Sequence, residues 1–217
     1  MMALTHGFMG LALAVLALPV VSEHVAPPVL LGAFLGGLVP DLDVVARHRR
    51  SLHYPVGYAT ATAFCLVFAL LTGTFLAVLA TVTVGAAALH SLVDILGGSV
   101  ERAPWDPTTE RAVYNHVVGV WHRPRRYVRY SGAPEDFLLC GAFAAVVLAS
   151  PVTTATTDAV LASLVACAGL YTLGRKRLHR LPGLLAALLP GRLRAALPAV
   201  RVAETEDGTT IEFDRRI

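Results

Sequence analysis

Leu79-Ala80-Thr81-Val82-Thr83-Val84-Gly85-Ala86-Ala87-Ala88-Leu89-His90-Ser91-Leu92-Val93-Asp94 decides how this chain is read. The run from Phe75 to Leu89 carries no ionisable side chain, and the whole segment 75–96 has the length of a membrane span. A bilayer crossing takes about 20 apolar residues. The segment closes on a histidine and an aspartate four positions apart. That spacing puts both side chains on one helix face, one turn apart. Ionisable groups are expensive at membrane depth, so they mark functional candidates there. The pair suits two ligands of one metal, or a histidine oriented by its carboxylate. The plain alternative is a hydrogen-bonded pair closing a helix, since Gly97-Gly98 follow.

The rest of the chain agrees with a membrane reading. Of 217 residues, 55% are hydrophobic and 15% are charged, where a soluble domain would be about one-quarter charged. Apolar runs occupy 4–22, 28–46, 56–73, 75–96, 137–153 and 157–174. They predict an all-α polytopic membrane protein with about six transmembrane helices. The first two runs contain polar residues and fit short tilted spans or a re-entrant pair. No basic stretch precedes the first run and no small-residue cleavage site is clear, so it reads as a retained helix rather than a signal peptide. Thr72-Gly73-Thr74 predicts a tight turn. Cys65, Cys140 and Cys167 lie in apolar runs and read as buried small hydrophobes.

Charge gives the orientation. With six spans, one side holds the N-terminus, the loops 44–55 and 97–136, and everything after 174. All 18 Lys and Arg fall there. The positive-inside rule then predicts a multi-pass cell-membrane protein with both termini cytoplasmic. The net charge of +3 is explained by this segregation and does not call for a nucleic-acid partner. Three further ionisable groups come to the same side. His6 opens the first run. Pro40-Asp41-Leu42-Asp43 ends the second, where the proline disrupts the helical ladder and frees two carboxylates to turn inward. His48 and His53 occupy the following loop. Carboxylate oxygens and imidazoles suit zinc, and carboxylates also suit harder cations. Asp41, His53, His90 and Asp94 are the expected ligands of a divalent metal, zinc by this reading, with His6, Asp43 and His48 supplementary.

The basic loops have two readings. Pro104-Trp105-Asp106-Pro107, Tyr114-Asn115-His116 and Trp121-His122-Arg123-Pro124-Arg125-Arg126-Tyr127 combine Trp, Tyr and Arg as an interfacial belt does. Alternatively they form a segment that binds an anionic headgroup, with Arg49, Arg123, Arg125 and Arg126 contacting phosphate. His24 and His179 carry no reading. After the membrane domain 1–178, the tail 179–217 begins with an apolar, proline-broken stretch at 181–198, of the type that lies on a membrane surface. It ends in alternating residues around Asp207-Gly208, which predict a small cytoplasmic β-hairpin.

Thr5-His6-x-x-x-Gly10, Gly36-Gly37-Leu38-Val39-Pro40-Asp41-Leu42-Asp43, His48-Arg49-x-x-x-His53 and His90-Ser91-x-x-Asp94 occur in that order. Together they resemble the membrane-bound metal-dependent hydrolase family, also named LexA-binding inner-membrane-associated hydrolases. The resemblance covers about residues 1–110, with Pro104 to Pro107 matching the family's motif after the fourth helix. Where the family has Thr-His-Ser, this chain has Leu52-His53-Tyr54 and so lacks the neighbouring hydroxyls. A looser similarity runs to the zinc-dependent phospholipase C and nuclease superfamily, whose Asp, His and later His-x-x-x-Asp correspond to Asp41, His53, His90 and Asp94. No counterpart of its remaining His and Glu ligands is present. The resemblance implies a metal-dependent hydrolase acting on a phosphoester, lipid-linked or not, at the cytoplasmic face, with a metal-bound water as nucleophile and membrane lipid as its surroundings. The rival readings are a non-catalytic metal-binding membrane scaffold and a metal transporter. A transporter is disfavoured because the opposite side of the membrane is nearly bare of ligand-type residues.

Overall fold

A computed structural model describes residues 1–17, 26–101, 103–178 and 188, and the backbone of 199–205 and 208–214. The chain is mostly helical. Helix α1 spans Ala3–Ala17 and α2 spans Ala26–Leu38, continued by a 3-10 segment, Val39–Val45. Helices α3 (Pro55–Thr72) and α4 (Phe75–Val93) follow, α4 ending in the 3-10 turn Asp94–Leu96. A small hairpin pairs β1 (Tyr114–Asn115) with β2 (Val120–Trp121). Helices α5 (Pro134–Leu148) and α6 (Ala155–Leu178) come next. Strand β3 (Ala199–Thr205) then pairs antiparallel with β4 (Gly208–Asp214), from Ala199 opposite Asp214 to Thr205 opposite Gly208. The stretch 181–198, apart from 188, lies outside the described residues, as do His24, His179 and Asp207.

Four segments are long and apolar enough to cross a membrane: Ala26–Val45, Pro55–Thr72, Phe75–Leu96 and Ala155–Leu178. Two of the six expected runs fall short of that length among the described residues. Helix α1 has 15 residues, as has α5, and a 15-residue helix is about 22 Å long. Residues 18–22 of the first expected run are outside the described set. In the fifth, Glu135 and Asp136 occupy the first turn and the helix stops at Leu148.

Helices α1, α2 and α4 pack on one another at the centre; α3 lies against α4, α5 against α1, and α6 against α5. Small residues set this order. A Cβ on Gly36 would run into the carbonyl oxygen of Thr83, and one on Gly37 into that of His6. The two glycines therefore let α4 and α1 both approach the backbone of α2. Val29, Ala33, Ala14 and Val82 fill the seam. On the other side Phe8, Leu11, Cys140, Ala144 and Leu161 join α1 to α5 and α6. Helix α3 starts at Pro55 and stops at Gly73, whose φ of 62° and N–H bond to the Ala69 carbonyl close it in the left-handed conformation that glycine takes without strain.

The start of α1, the end of α2, the start of α3 and the end of α4 meet at one end of the bundle. The 97–133 segment covers that end. Arg49 Nη1 donates to the Gly98 carbonyl at 2.6 Å, and the Tyr114 N–H donates to the Arg49 carbonyl at 3.0 Å. The start of α5 and the end of α6 join the same layer. Buried Asp136 accepts from the Met2 N–H, the Thr5 hydroxyl and the Gly132 N–H at 2.7–2.9 Å, and Arg175 Nε donates to the Ser131 carbonyl at 3.1 Å.

Candidate metal centre

The 3-10 segment after α2 turns three side-chain rows in three directions, because its residues repeat every three positions. Val39, Leu42 and Val45 face outward, while Pro40 and Asp43 are buried. Asp41 lies between these rows, its side chain 20% exposed. The loop that follows wraps around Asp43. The N–H groups of Arg49, Arg50 and Leu52 all donate to its carboxylate at 3.1–3.2 Å. Consecutive amides aimed at one anion form an anion-binding concavity. Wrapping this tightly forces Arg49 to a φ of 61°, which costs an L-residue about 1 kcal/mol or more. Asp43 also accepts from Nδ1 of His48 and Nδ1 of His53, each at 2.9 Å.

That bond orients His53. In a neutral ring bonded to Asp43 through Nδ1–H, Nε2 is the lone pair. His90 is oriented in the same way from another helix: its Nδ1 lies 2.6 Å from the Gly37 carbonyl, which can only accept, so in the neutral ring its Nε2 is likewise the lone pair. The two Nε2 atoms face each other at 3.2 Å. Two carboxylate oxygens complete the group. Asp41 Oδ1 is 3.4 Å from His90 Nε2 and 4.0 Å from His53 Nε2. Asp94 Oδ2 is 3.5 Å from His53 Nε2 and 3.6 Å from His90 Nε2. Asp41, His53, His90 and Asp94 thus bring one donor atom each to within 4.8 Å of one another.

With both imidazoles in the neutral form that binds metals, four lone-pair donors converge here. Asp94 Oδ2 is fully buried and has no hydrogen-bond partner; Arg49 Nε lies 3.2 Å away but is not aligned to donate. A cation at the centre resolves that repulsion. Tetrahedral zinc with ligand bonds of about 2.0–2.1 Å places its donors about 3.4 Å apart, close to most of the separations found. The residues fit a divalent metal ion.

Of the seven expected ligands, these four form the cluster and three stand behind it. His6 Nε2 lies 3.0 Å from Asp94 Oδ1, and its ring stacks on that of His90 with centroids 3.6 Å apart. The Met1 nitrogen lies 2.6 Å from the same oxygen. Asp43 holds His53, and His48 holds Asp43 from the solvent side. Such supporting groups fix ring orientation and raise ligand basicity. The four arginines expected at a substrate are dispersed. Arg49 is buried against Asp94. Arg126 is bonded to Glu110 at 2.8 Å. Arg123 and Arg125 are exposed on the outer loop. In that loop, partial burial would raise the Glu101 carboxyl, but hydrogen bonds from Ser99, Thr108 and Thr109 hold it below its ordinary value.

Three contributors went unread in the sequence. Gly37 supplies a carbonyl, which no side-chain pattern announces. Asp136 and Thr5 tie α5 to α1 just before His6; an aspartate in the first turn after Pro134 was the available signal. No family model, curated protein or solved structure matches this chain.

Proposed function

We propose that this chain is a membrane-embedded, metal-dependent hydrolase of about six spans, with both termini cytoplasmic. In this reading zinc is held by Asp41, His53, His90 and Asp94, and the substrate is a phosphoester, free or carried on a lipid. The observation that carries the metal is the approach of two imidazole Nε2 atoms to 3.2 Å beside the unpartnered Asp94 oxygen. Zinc bound there would supply a nucleophile at neutral pH by lowering the pKa of a bound water toward about 7. The chain's own residues do the positioning. Asp43 and the Gly37 carbonyl aim the two imidazoles, His6 and Arg49 hold Asp94, and Asp41 is the partly exposed member of the four. The ligand order and the resemblance to metal-dependent membrane hydrolases support hydrolysis. The segregation of basic residues supports the orientation.

The test is elemental mass spectrometry on detergent-purified protein, together with turnover of a phosphodiester panel. Stoichiometric zinc and hydrolysis, both lost in His90→Ala and Asp41→Ala variants that still fold, support the reading. Hydrolysis unchanged by those substitutions sinks it. A second reading, a metal-stabilised scaffold without turnover, is favoured by one observation: three of the four donors are at most 1% exposed. It expects retained metal, no hydrolysis, and a melting temperature that falls on chelation.

A further inference from the structure

The β1–β2 hairpin takes no part in the metal centre, yet it has the layering of a membrane-interface element. It turns at Gly119, where φ is 71°. Around the turn, Val117, Val118 and Val120 are 70%, 62% and 52% exposed. Three neighbouring exposed valines on so short a hairpin form an apolar tip without a partner among the described residues. Behind the tip stand aromatic rings. Tyr114 and Trp121 pair across the strands with centroids 5.5 Å apart. Behind these come guanidinium groups, Arg50 at 4.3 Å from the Tyr114 ring and Arg111 at 6.0 Å from the Trp121 ring. Apolar tip, aromatic middle and cationic base is the sequence of groups that a bilayer interface offers partners to: acyl chains, the headgroup boundary and phosphate.

The hairpin is also fixed in the right place. His116 stacks on Tyr54 with centroids 4.4 Å apart, and Tyr54 caps α3, one of the span-length helices. Tyr54 and Val56 are exposed beside it, and the outward face of α3 continues through Phe64 to Leu71. The His116–Tyr54 stack thus ties the hairpin that carries the apolar tip to the start of α3.

We infer that this hairpin is an interfacial anchor, with Val117, Val118 and Val120 at the acyl boundary of the same bilayer that α3 crosses. It is bonded to the strap that carries His53: the Tyr114 N–H to the Arg49 carbonyl, and His116 Nε2 to the Arg50 carbonyl at 2.7 Å. Seating the hairpin in lipid therefore steadies the loop that wraps Asp43.

The test places a single tryptophan at the tip, Val118→Trp with Trp105→Phe and Trp121→Phe, in full-length protein reconstituted into phosphatidylcholine vesicles. Bromine on the acyl chains should quench its emission about twofold and aqueous acrylamide should quench it little, as for an interfacial residue. Quenching by acrylamide alone overturns the inference, because the tip then stands in water. Protection from both quenchers also overturns it, because protein then covers the tip. If the triple variant does not fold, the native Trp121 in Trp105→Phe gives the same readout three residues from Val118: quenching by brominated chains sustains the inference, and acrylamide quenching alone ends it.

Discussion

Helices α3 and α4 are neighbours joined by a two-residue turn, nearly equal in length, and both apolar enough to span a membrane. Their surroundings are opposite. Only Pro55 of α3 is buried, whereas α4 buries Ala77, Val82, Gly85, Ala86, Ala87, Ala88, His90 and Ser91. The difference does not lie in hydrophobicity. It lies in side-chain size and in what the last turn carries. Gly36 of α2 admits α4 at backbone distance, and the α4 histidine then meets the Gly37 carbonyl and a second histidine. The bulky residues of α3, Phe64, Phe68, Leu70 and Leu71, point outward. Apolar sequence places a helix in the membrane; small residues and an ionisable end place it at the centre of the molecule.

That contrast breaks most visibly at the metal. His90→Ala removes a donor from α4 and should abolish stoichiometric metal in elemental analysis, while Phe68→Ala in α3 should leave it unchanged. Metal lost from both variants would mean that α3 is not peripheral. The next effect is one layer out. Asp43→Ala leaves all four donors in place but frees the His53 ring, so metal affinity by competition titration should fall about 10–100-fold. An unchanged affinity would remove Asp43 from any orienting role.

Packing gives a smaller effect of either sign. Gly36→Ala drives a Cβ toward the Thr83 carbonyl and should cost about 1–3 kcal/mol in a reversible denaturation assay. Gly141→Ala in α5 meets nothing within 4 Å and should gain about 0.5–1 kcal/mol from helix propensity. Equal effects at the two glycines would mean that α2 and α4 are not in backbone contact.

The smallest effect lies in the loop over the site. Glu101 binds Ser99, Thr108 and Thr109 as a carboxylate, and its pKa in the folded protein lies below the ordinary 4.5. A lowered carboxylate pKa adds stability above the unfolded value, and this is lost as pH falls toward the folded one. At pH 7 the Glu101→Gln variant should therefore be less stable than the wild type by about 1 kcal/mol in a denaturation assay. The gap should close as pH drops below 4.5. A gap independent of pH would show that the carboxylate charge contributes nothing there.

Much of this was legible before any coordinates. The His90-x-x-x-Asp94 spacing on an apolar helix, and Pro40-Asp41-x-Asp43 at the end of another, announce ligand-type residues at helix ends. What could not be read was which atom goes where. Asp41 and Asp43 are two positions apart and chemically identical, yet one offers an oxygen to the cluster and the other is consumed by the amides of Arg49, Arg50 and Leu52. His48 and His53 divide in the same way. Only the path of the intervening loop separates them. The arginines show the converse. Their abundance near the site suggested phosphate contacts, but Arg126 is taken by Glu110 and Arg49 by Asp94.

The sequence by itself determined that the chain carries segments apolar enough to cross a membrane and that histidines and aspartates sit at or just beyond their ends. Those properties add up residue by residue along the chain. The tertiary structure alone decided that four donor atoms from three segments share a space a few ångströms across. That depends on close approach at Gly36 and Gly37 and on a carboxylate held by a folded loop, and neither is a property of any one stretch of sequence.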